Sequence, residues 1–204
     1  MIILERYLLQ QARWPSEGRC ILAQHDDESI VVYQAFRPDV ADEALRLQRF
    51  GAKFGRNRMS WIKPNFLWMM FRSGWGTKPA QQAVVGVRLK RDFFERVLAL
   101  AVPSDFESGV FADAEAWSAA AHAADARLQW DPDHDPEGLP TRRRALQLGL
   151  RGNTLREYAS DAVLEVVDMM PVVEAGRRHA VRPFSELEIP LERDFSPRTP
   201  DLPE

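Results

Sequence analysis

Cysteine is nearly absent from this chain. Cys20 stands alone, so no intrachain disulfide can form, which fits a reducing compartment. Set in the run Arg-Cys-Ile-Leu, it reads as a buried strand residue rather than a catalytic thiol. Long apolar runs are missing too: nothing approaches the roughly 20 residues that cross a bilayer. The opening stretch, MIILERYLLQQARW, carries Glu5 and Arg6 early and lacks the basic start, apolar middle and small-residue end of a signal peptide. A short docking helix or strand is expected there, with the cytoplasm as the location. His25, His122, His134 and His179 show no ligand spacing, and no HExxH, CxxC, GxSxG or Walker-type loop occurs. Zincin, thiol-redox, serine-hydrolase and P-loop chemistries therefore have no foothold.

Acids are missing where cations are dense. Between Glu43 and Asp92 there is no Asp or Glu, whereas eleven residues are Lys or Arg. With a net charge of -3 and those eleven cations, the rest of the chain carries -14. Surfaces ordinarily intersperse both signs. Either these cations pair with acids brought in by the fold, or they gather around an anionic ligand.

What is present suffices for one domain: 204 residues, 45% of them apolar. The globular part is expected over residues 1–190. The proline-rich, charged end, residues 191–204, is expected to be an extended or disordered tail. Residues 19–36 predict two strands around the polar turn His25 to Glu28, and Pro38-Asp39 opens a helix reaching toward Gly51. A basic loop covers 52–60. Pro64 suits the first turn of a helix that runs through Arg72, is apolar nearly all round and so is buried, and stops at Gly74. A strand over 83–89, helices over 91–101 and 113–126, a loop over 129–138, a strand over 141–150 and a helix over 154–159 follow. The stretch AVLEVVDMM fits either type. Strands and helices mix without a βαβ rhythm, so the fold class is α+β in a single mixed domain.

Several motifs carry a resemblance. Val32-Tyr33-Gln34-Ala35-Phe36, then Arg58-Met59-Ser60-Trp61-Ile62-Lys63-Pro64, then Phe66 through Trp75, then Gln129-Trp130-Asp131-Pro132-Asp133 and Leu146 through Leu150 resemble an uncharacterised family, domain of unknown function 4291. That family implies no reaction. A strand ending in aromatic-Gln-Ala, followed by a helix and a glycine-phenylalanine region, also resembles the start of ADP-ribosyltransferase-like domains. That second resemblance implies a split sheet with flanking helices, NAD as ligand, and catalytic positions at Gln34 on the first strand, Ser73 in the second motif and Gln147 late in the chain. Amides at Gln34 and Gln147 cannot do acid–base chemistry, so the usual transferase mechanism does not carry over with the fold.

The residues themselves offer two constellations. Arg58, Lys63, Arg72 and Lys78, with Arg56, are interleaved with Trp61, Trp68 and Trp75. Guanidinium groups fork onto phosphate oxygens and indole faces stack on bases, which suits a nucleotide or single-stranded nucleic acid. Trp68, among Phe66, Met69 and Met70, reads as core, while Trp61 and Trp75 lie where the helix meets loops. Asn65 marks the helix start, where backbone N–H groups either are capped or receive an anion. The second constellation, Asp131, Asp133, His134 and Asp135, has oxygen ligands for a divalent cation but not calcium-loop spacing, so internal partners for the basic segment are the fuller expectation and no metal is assigned. In the run Arg142-Arg143-Arg144, strand alternation would turn Arg143 away from the other two.

The expectation is a nucleotide-handling protein, ADP-ribosyltransferase-like, that binds NAD or a nucleic-acid end. Arg58, Lys63, Arg72 and Lys78 would hold phosphates, Trp61 and Trp75 would stack, and Gln34 would orient the ring. A nonenzymatic RNA- or DNA-binding module using the same surface is the alternative. In a third reading, a protein-interaction domain, the basic segment merely pairs with the acidic remainder.

Overall fold

The computed structural model of the chain describes residues 1–106 and 110–198. Its elements are β1 (Leu4–Arg6), α1 (Tyr7–Gln11), β2 (Gly18–Cys20), β3 (Leu22–Ala23), β4 (Ser29–Phe36), α2 (Pro38–Leu47), β5 (Ser60–Ile62) and α3 (Phe66–Ser73). Then come β6 (Ala83–Lys90), α4 (Arg91–Leu100), β7 (Val102–Pro103), α5 (Ala114–Ala123), β8 (Ala126–His134) and β9 (Pro140–Leu150). The chain closes with α6 (Gly152–Tyr158), β10 (Val163–Asp168), α7 (Met170–His179), β11 (Glu188–Pro190) and β12 (Arg193–Asp194). The class is α+β.

Two sheets organise these elements. In the first, β4 lies antiparallel to β6 and β6 antiparallel to β10. In the second, the long antiparallel pair β8–β9 is the spine, β7 extends β8, and β2 and β5 share the far edge of β9. Alternation along β4 and β6 sorts side chains to two cores. Ile30, Val32, Val85, Val87 and Leu89 face one cluster with Ala44, Phe94, Leu98 and Leu148. Val31, Tyr33 and Val84 face the other with Phe66, Met70, Val173 and Ile189. Helices α2 and α4 thus cover one face of the first sheet, and α3 and α7 the other.

One backbone bridge joins the two sheets among the described residues. Tyr33 N–H donates to the Lys63 carbonyl at 2.7 Å, and Lys63 N–H to the Tyr33 carbonyl at 3.3 Å. Beyond Tyr33 the strands part and leave a cleft between β4 and the segment leading into β5.

Several expectations are corrected. Residues 19–36 do form strands on both sides of the turn, which His25 and Ile30 close as an antiparallel bridge, but the strands then go to different partners: β2 runs parallel to β9, β3 pairs with β12, and β4 joins the first sheet. Residues 129–134 are strand, not loop. The outer edge of β8 is paired only as far as Leu128, so Pro132 occupies an edge where its missing N–H costs no ladder bond. Pro64 precedes the helix cap at Asn65 rather than lying within the first turn. The packed chain also extends past residue 190. Phe195 lies in the main core, its N–H donating to the Ile21 carbonyl, and Glu192 is buried. Residues 199–204 of the expected tail lie outside the described residues. Among those described, no helix is long and apolar enough to cross a membrane.

Candidate functional site

The polar face of the second sheet faces the cleft. Along β8 and β9, Leu128, Leu146, Leu148 and Leu150 enter the core, so period-two alternation turns Gln129, Asp131, Gln147 and Gly149 the other way. Strand β5 continues this face. Trp61 stands opposite Gly149 on β9, and Lys63, one step beyond the Ile62–Leu148 pair, falls beside Gln147. Gln147 in turn pairs with Gln129. A row Lys63, Gln147, Gln129 therefore crosses three strands.

This row bounds a cavity of about 780 Å³. Gln34 and Phe36 of β4 form one wall, Met59, Ser60 and Trp61 the opposite wall, and the loop at Lys53, Phe54 and Gly55 with Arg58 and Arg72 the mouth. Of the nine expected site residues, Gln34, Arg58, Trp61, Lys63, Arg72 and Gln147 meet here. Five of the residues bounding it are Lys or Arg, four are Gln, and among the described residues none is Asp or Glu.

Lys63 is the electrostatic centre. Its side chain is only 5% exposed, and among the described residues no hydrogen bond or ion pair reaches its ammonium. Burial, together with the nearby Arg72 guanidinium, pulls its pKa down to about 8, with Asp131 opposing. Arg58 and Arg72 are exposed and likewise form no ion pair among the described residues. Asp131 lies on the same face of β8, beside the floor and half-buried. Gln129 donates to its Oδ1 at 2.9 Å and Gln147 to its Oδ2 at 2.5 Å. Burial raises its carboxyl above the usual range, against the pull of those amides and of Lys63. The arrangement is a cationic cleft with an amide-lined floor, fit to receive phosphate oxygens at the mouth and hydroxyl or carbonyl groups below.

Gln34 is engaged differently from the expectation. Its Nε2 donates to Ser60 Oγ at 2.8 Å and to the Trp61 carbonyl at 3.0 Å, and its Oε1 accepts from Tyr158 Oη at 2.7 Å. Both amide hydrogens are committed, so the side chain fastens β4 to β5 where the sheets part. It is not free to orient a ring by donation.

Three expected site residues lie elsewhere. Ser73 is fully buried, its Oγ donating to the Met69 carbonyl and accepting from Gly76 N–H. Trp75 packs against Gly176 and Phe66, and its Nε1 donates to the Pro136 carbonyl. Lys78 Nζ caps α3 by donating to the carbonyls of Phe71 and Arg72. These residues terminate and seat α3, which is why they crowd its end in the sequence. Trp68 is core, as its neighbours suggest. Asn65 is a cap, its Oδ1 accepting from Trp68 N–H, and the protein's own Glu192 carboxyl accepts from Phe66 N–H. The anion position at this helix start is thus filled from within.

The basic segment divides in two. Its C-terminal part is internally paired, Arg88 with Glu165 and Asp26, and Arg91 with Glu95. In its middle part, around the cleft, Lys53 pairs with Asp39 at 3.9 Å, whereas Arg58, Lys63 and Arg72 have no carboxylate partner among the described residues. The acids of β8 also divide: Asp133 pairs with buried Arg143 at 2.7 Å and Asp135 with Arg182 at 2.7 Å, leaving Asp131 to influence Lys63. Arg143 does point away from exposed Arg142 and Arg144. Among the described residues no group of three or more His, Cys, Asp or Glu converges as a metal site.

Sequence reasoning missed Ser60, Gln129 and the part played by Asp131. The available signal was the alternation Leu128-Gln129-Trp130-Asp131, hidden by reading the prolines as a loop. No curated protein matches the sequence. The family model described as Domain of unknown function (DUF4291) matches residues 20–195, most of the chain, and the protein belongs to that family.

Proposed function

We propose that the cleft between β4 and β5 binds a nucleotide through its phosphates, as NAD or as a nucleic-acid end. The carrying observation is that Arg58, Lys63 and Arg72 border one cavity with no carboxylate partner among the described residues. A guanidinium or ammonium left without a counter-charge gains most from a phosphate, which supplies charge and acceptor oxygens together. Trp61 adds an indole face, half-buried at the wall, for a base. The parting of the two sheets is what an ADP-ribosyltransferase-like reading would require. Gln34 and Gln147 at the corresponding positions supply no acid or base, so the reading is one of binding.

A second reading, the nucleic-acid strand, draws on one further observation. The loop at Phe54 and Gly55 also borders a neighbouring cavity of about 680 Å³ whose other residues include Arg49, Arg56 and Asn57. A strand lying over that loop would meet cations on both sides. Titration calorimetry with NAD, ADP-ribose, ADP and short oligonucleotides separates the cases. A nucleotide should bind, and Arg58→Ala and Arg72→Ala should each weaken it about tenfold or more at unchanged melting temperature. Binding confined to oligonucleotides, with a steep salt slope, assigns the strand instead. No heat with any of them removes both readings.

A further inference from the structure

We propose that Lys63 is the nucleophile of the cleft, an amine that condenses with the open-chain aldehyde of a phosphate-bearing sugar. The inference rests on the nucleotide reading above and names its chemistry. Three observations converge on this side chain. It lies at the floor of the cavity, 5% exposed, whereas Arg58 and Arg72 stand at the exposed mouth. No acceptor or carboxylate among the described residues holds its ammonium, although the buried cations Arg91 and Arg143 both have carboxylate partners. Its neighbours across the sheet are the neutral amides Gln147 and Gln129, which match sugar hydroxyls rather than charge. The depth ordering therefore places guanidiniums for phosphates outside and one amine among hydroxyl-binding groups inside.

An amine so placed is suited to leave its proton. Burial and Arg72 bring its pKa to about 8, so a substantial fraction is uncharged near neutrality. The reaction needs no oxidant or reductant. The Nζ lone pair forms the new bond to the aldehyde carbon, and the carbonyl electrons move to oxygen, which takes up a proton. The nitrogen then expels that oxygen as water and gives up its remaining protons. One amine and one aldehyde yield one imine and one water.

The test uses the whole chain, ADP-ribose as the aldehyde-bearing probe and cyanoborohydride to reduce any imine, with the adduct located by peptide mass spectrometry. The chain has four lysines, Lys53, Lys63, Lys78 and Lys90, and all but Lys63 are exposed. Lys63 should be modified on the order of a hundredfold faster than a lysine of ordinary pKa, because its pKa falls from 10.5 to about 8 and each unit raises the free-amine fraction roughly tenfold at a pH below it. The rate should reach half its maximum near pH 8. ADP should suppress it, Lys63→Arg should abolish it, and Lys90→Arg, an exposed position away from the cavity, should leave it unchanged. A single-stranded oligonucleotide ending in an abasic sugar forms the second arm: adducts on Lys63 from the strand alone place the aldehyde on a nucleic-acid end. Modification spread evenly over the four lysines, with ADP still binding by calorimetry, overturns this proposal and leaves the nucleotide reading standing. Absence of ADP binding together with absence of protection removes both.

Discussion

The indole of Trp61 rests on Gly149. A Cβ added at Gly149 would come within 3.0 Å of Trp61 Cζ2 and 2.6 Å of Met59 Sδ, so the glycine is what lets both side chains approach the backbone of β9 this closely. The need is for space, since no special backbone angle is involved. Gly149→Val should push Trp61 and Met59 into the cavity, weaken nucleotide binding about tenfold or more and destabilise the fold by roughly 1–3 kcal/mol through overpacking. Calorimetry and thermal denaturation measure the two effects, and intrinsic tryptophan fluorescence reports the displaced indole. Unchanged affinity in a folded Gly149→Val protein would separate this wall from the ligand.

Lys63 makes a second, opposite prediction. An unpartnered ammonium in a buried site costs stability, so Lys63→Met, which keeps much of the side-chain length, should raise the melting temperature. The pH dependence gives the sign. The folded-state pKa of about 8 lies below the ordinary value of 10.5, so between them the unfolded chain binds more protons and stability rises with pH. Below pH 8 the full penalty applies, on the order of 3 kcal/mol for a shift of this size. The variant should therefore exceed the parent by most at pH 6–7 and converge on it toward pH 10. A melting temperature that falls on substitution at pH 7 would mean that the ammonium is held by a partner.

Much of this architecture is legible from local pattern, and the limits are physical. The apolar helix at Phe66 announces its own burial, and Leu146-Gln147-Leu148 reads as a strand because one face must be dry. Arg58, Lys63 and Arg72 could be grouped because acids are absent around them, a property of composition that survives folding. Lys78 and Trp75 share that composition, yet their roles are fixed by the termination of α3, and only the turn geometry separates a capping lysine from a ligand-binding one. The strand over 129–134 was hidden because proline is tolerated at an unpaired edge, and edges are defined by partners distant in sequence. Glu192 and Phe195 look like tail for the same reason: β12 exists through β3.

Glu192 carries the third prediction. Its Oε1 accepts from Phe66 N–H at 2.6 Å, while its Oε2 is buried without a partner. Burial holds its carboxyl well above the ordinary 4.5, Asp133 adds to this, and Arg143 and the Phe66 N–H oppose it. A carboxyl raised on folding binds its proton more tightly in the folded state. Its penalty is therefore absent below pH 4.5 and grows as pH rises toward the folded value. Glu192→Gln keeps an acceptor for Phe66 and cannot ionise. The variant should match the parent near pH 4 and become the more stable of the two as pH rises, the gap widening by at most about 1.4 kcal/mol per pH unit. Denaturant midpoints across pH 4–8 measure it, and parallel curves for the two proteins would show that Glu192 does not change protonation on unfolding.

Gln34 distinguishes a fastening role from a ligand-reading one. Its three bonds to Ser60, Trp61 and Tyr158 join the first sheet to β5 and α6 at the mouth of the split. Gln34→Met removes them while keeping the volume. The hydroxyl of Tyr158 is fully buried, and it would lose its only acceptor among the described residues. Each buried polar group so stranded costs about 1–3 kcal/mol, so the variant should lose roughly 2–4 kcal/mol of stability. Gln34→Glu tests the donors alone. A carboxylate can still accept from Ser60 and Tyr158 but would set an anion against the Trp61 carbonyl, so its deficit should grow as pH rises through the carboxyl range and shrink when the group is protonated. A residue that reads the ligand would behave otherwise, keeping the melting temperature in Gln34→Met and losing only affinity. Thermal denaturation paired with calorimetry on both variants decides between them.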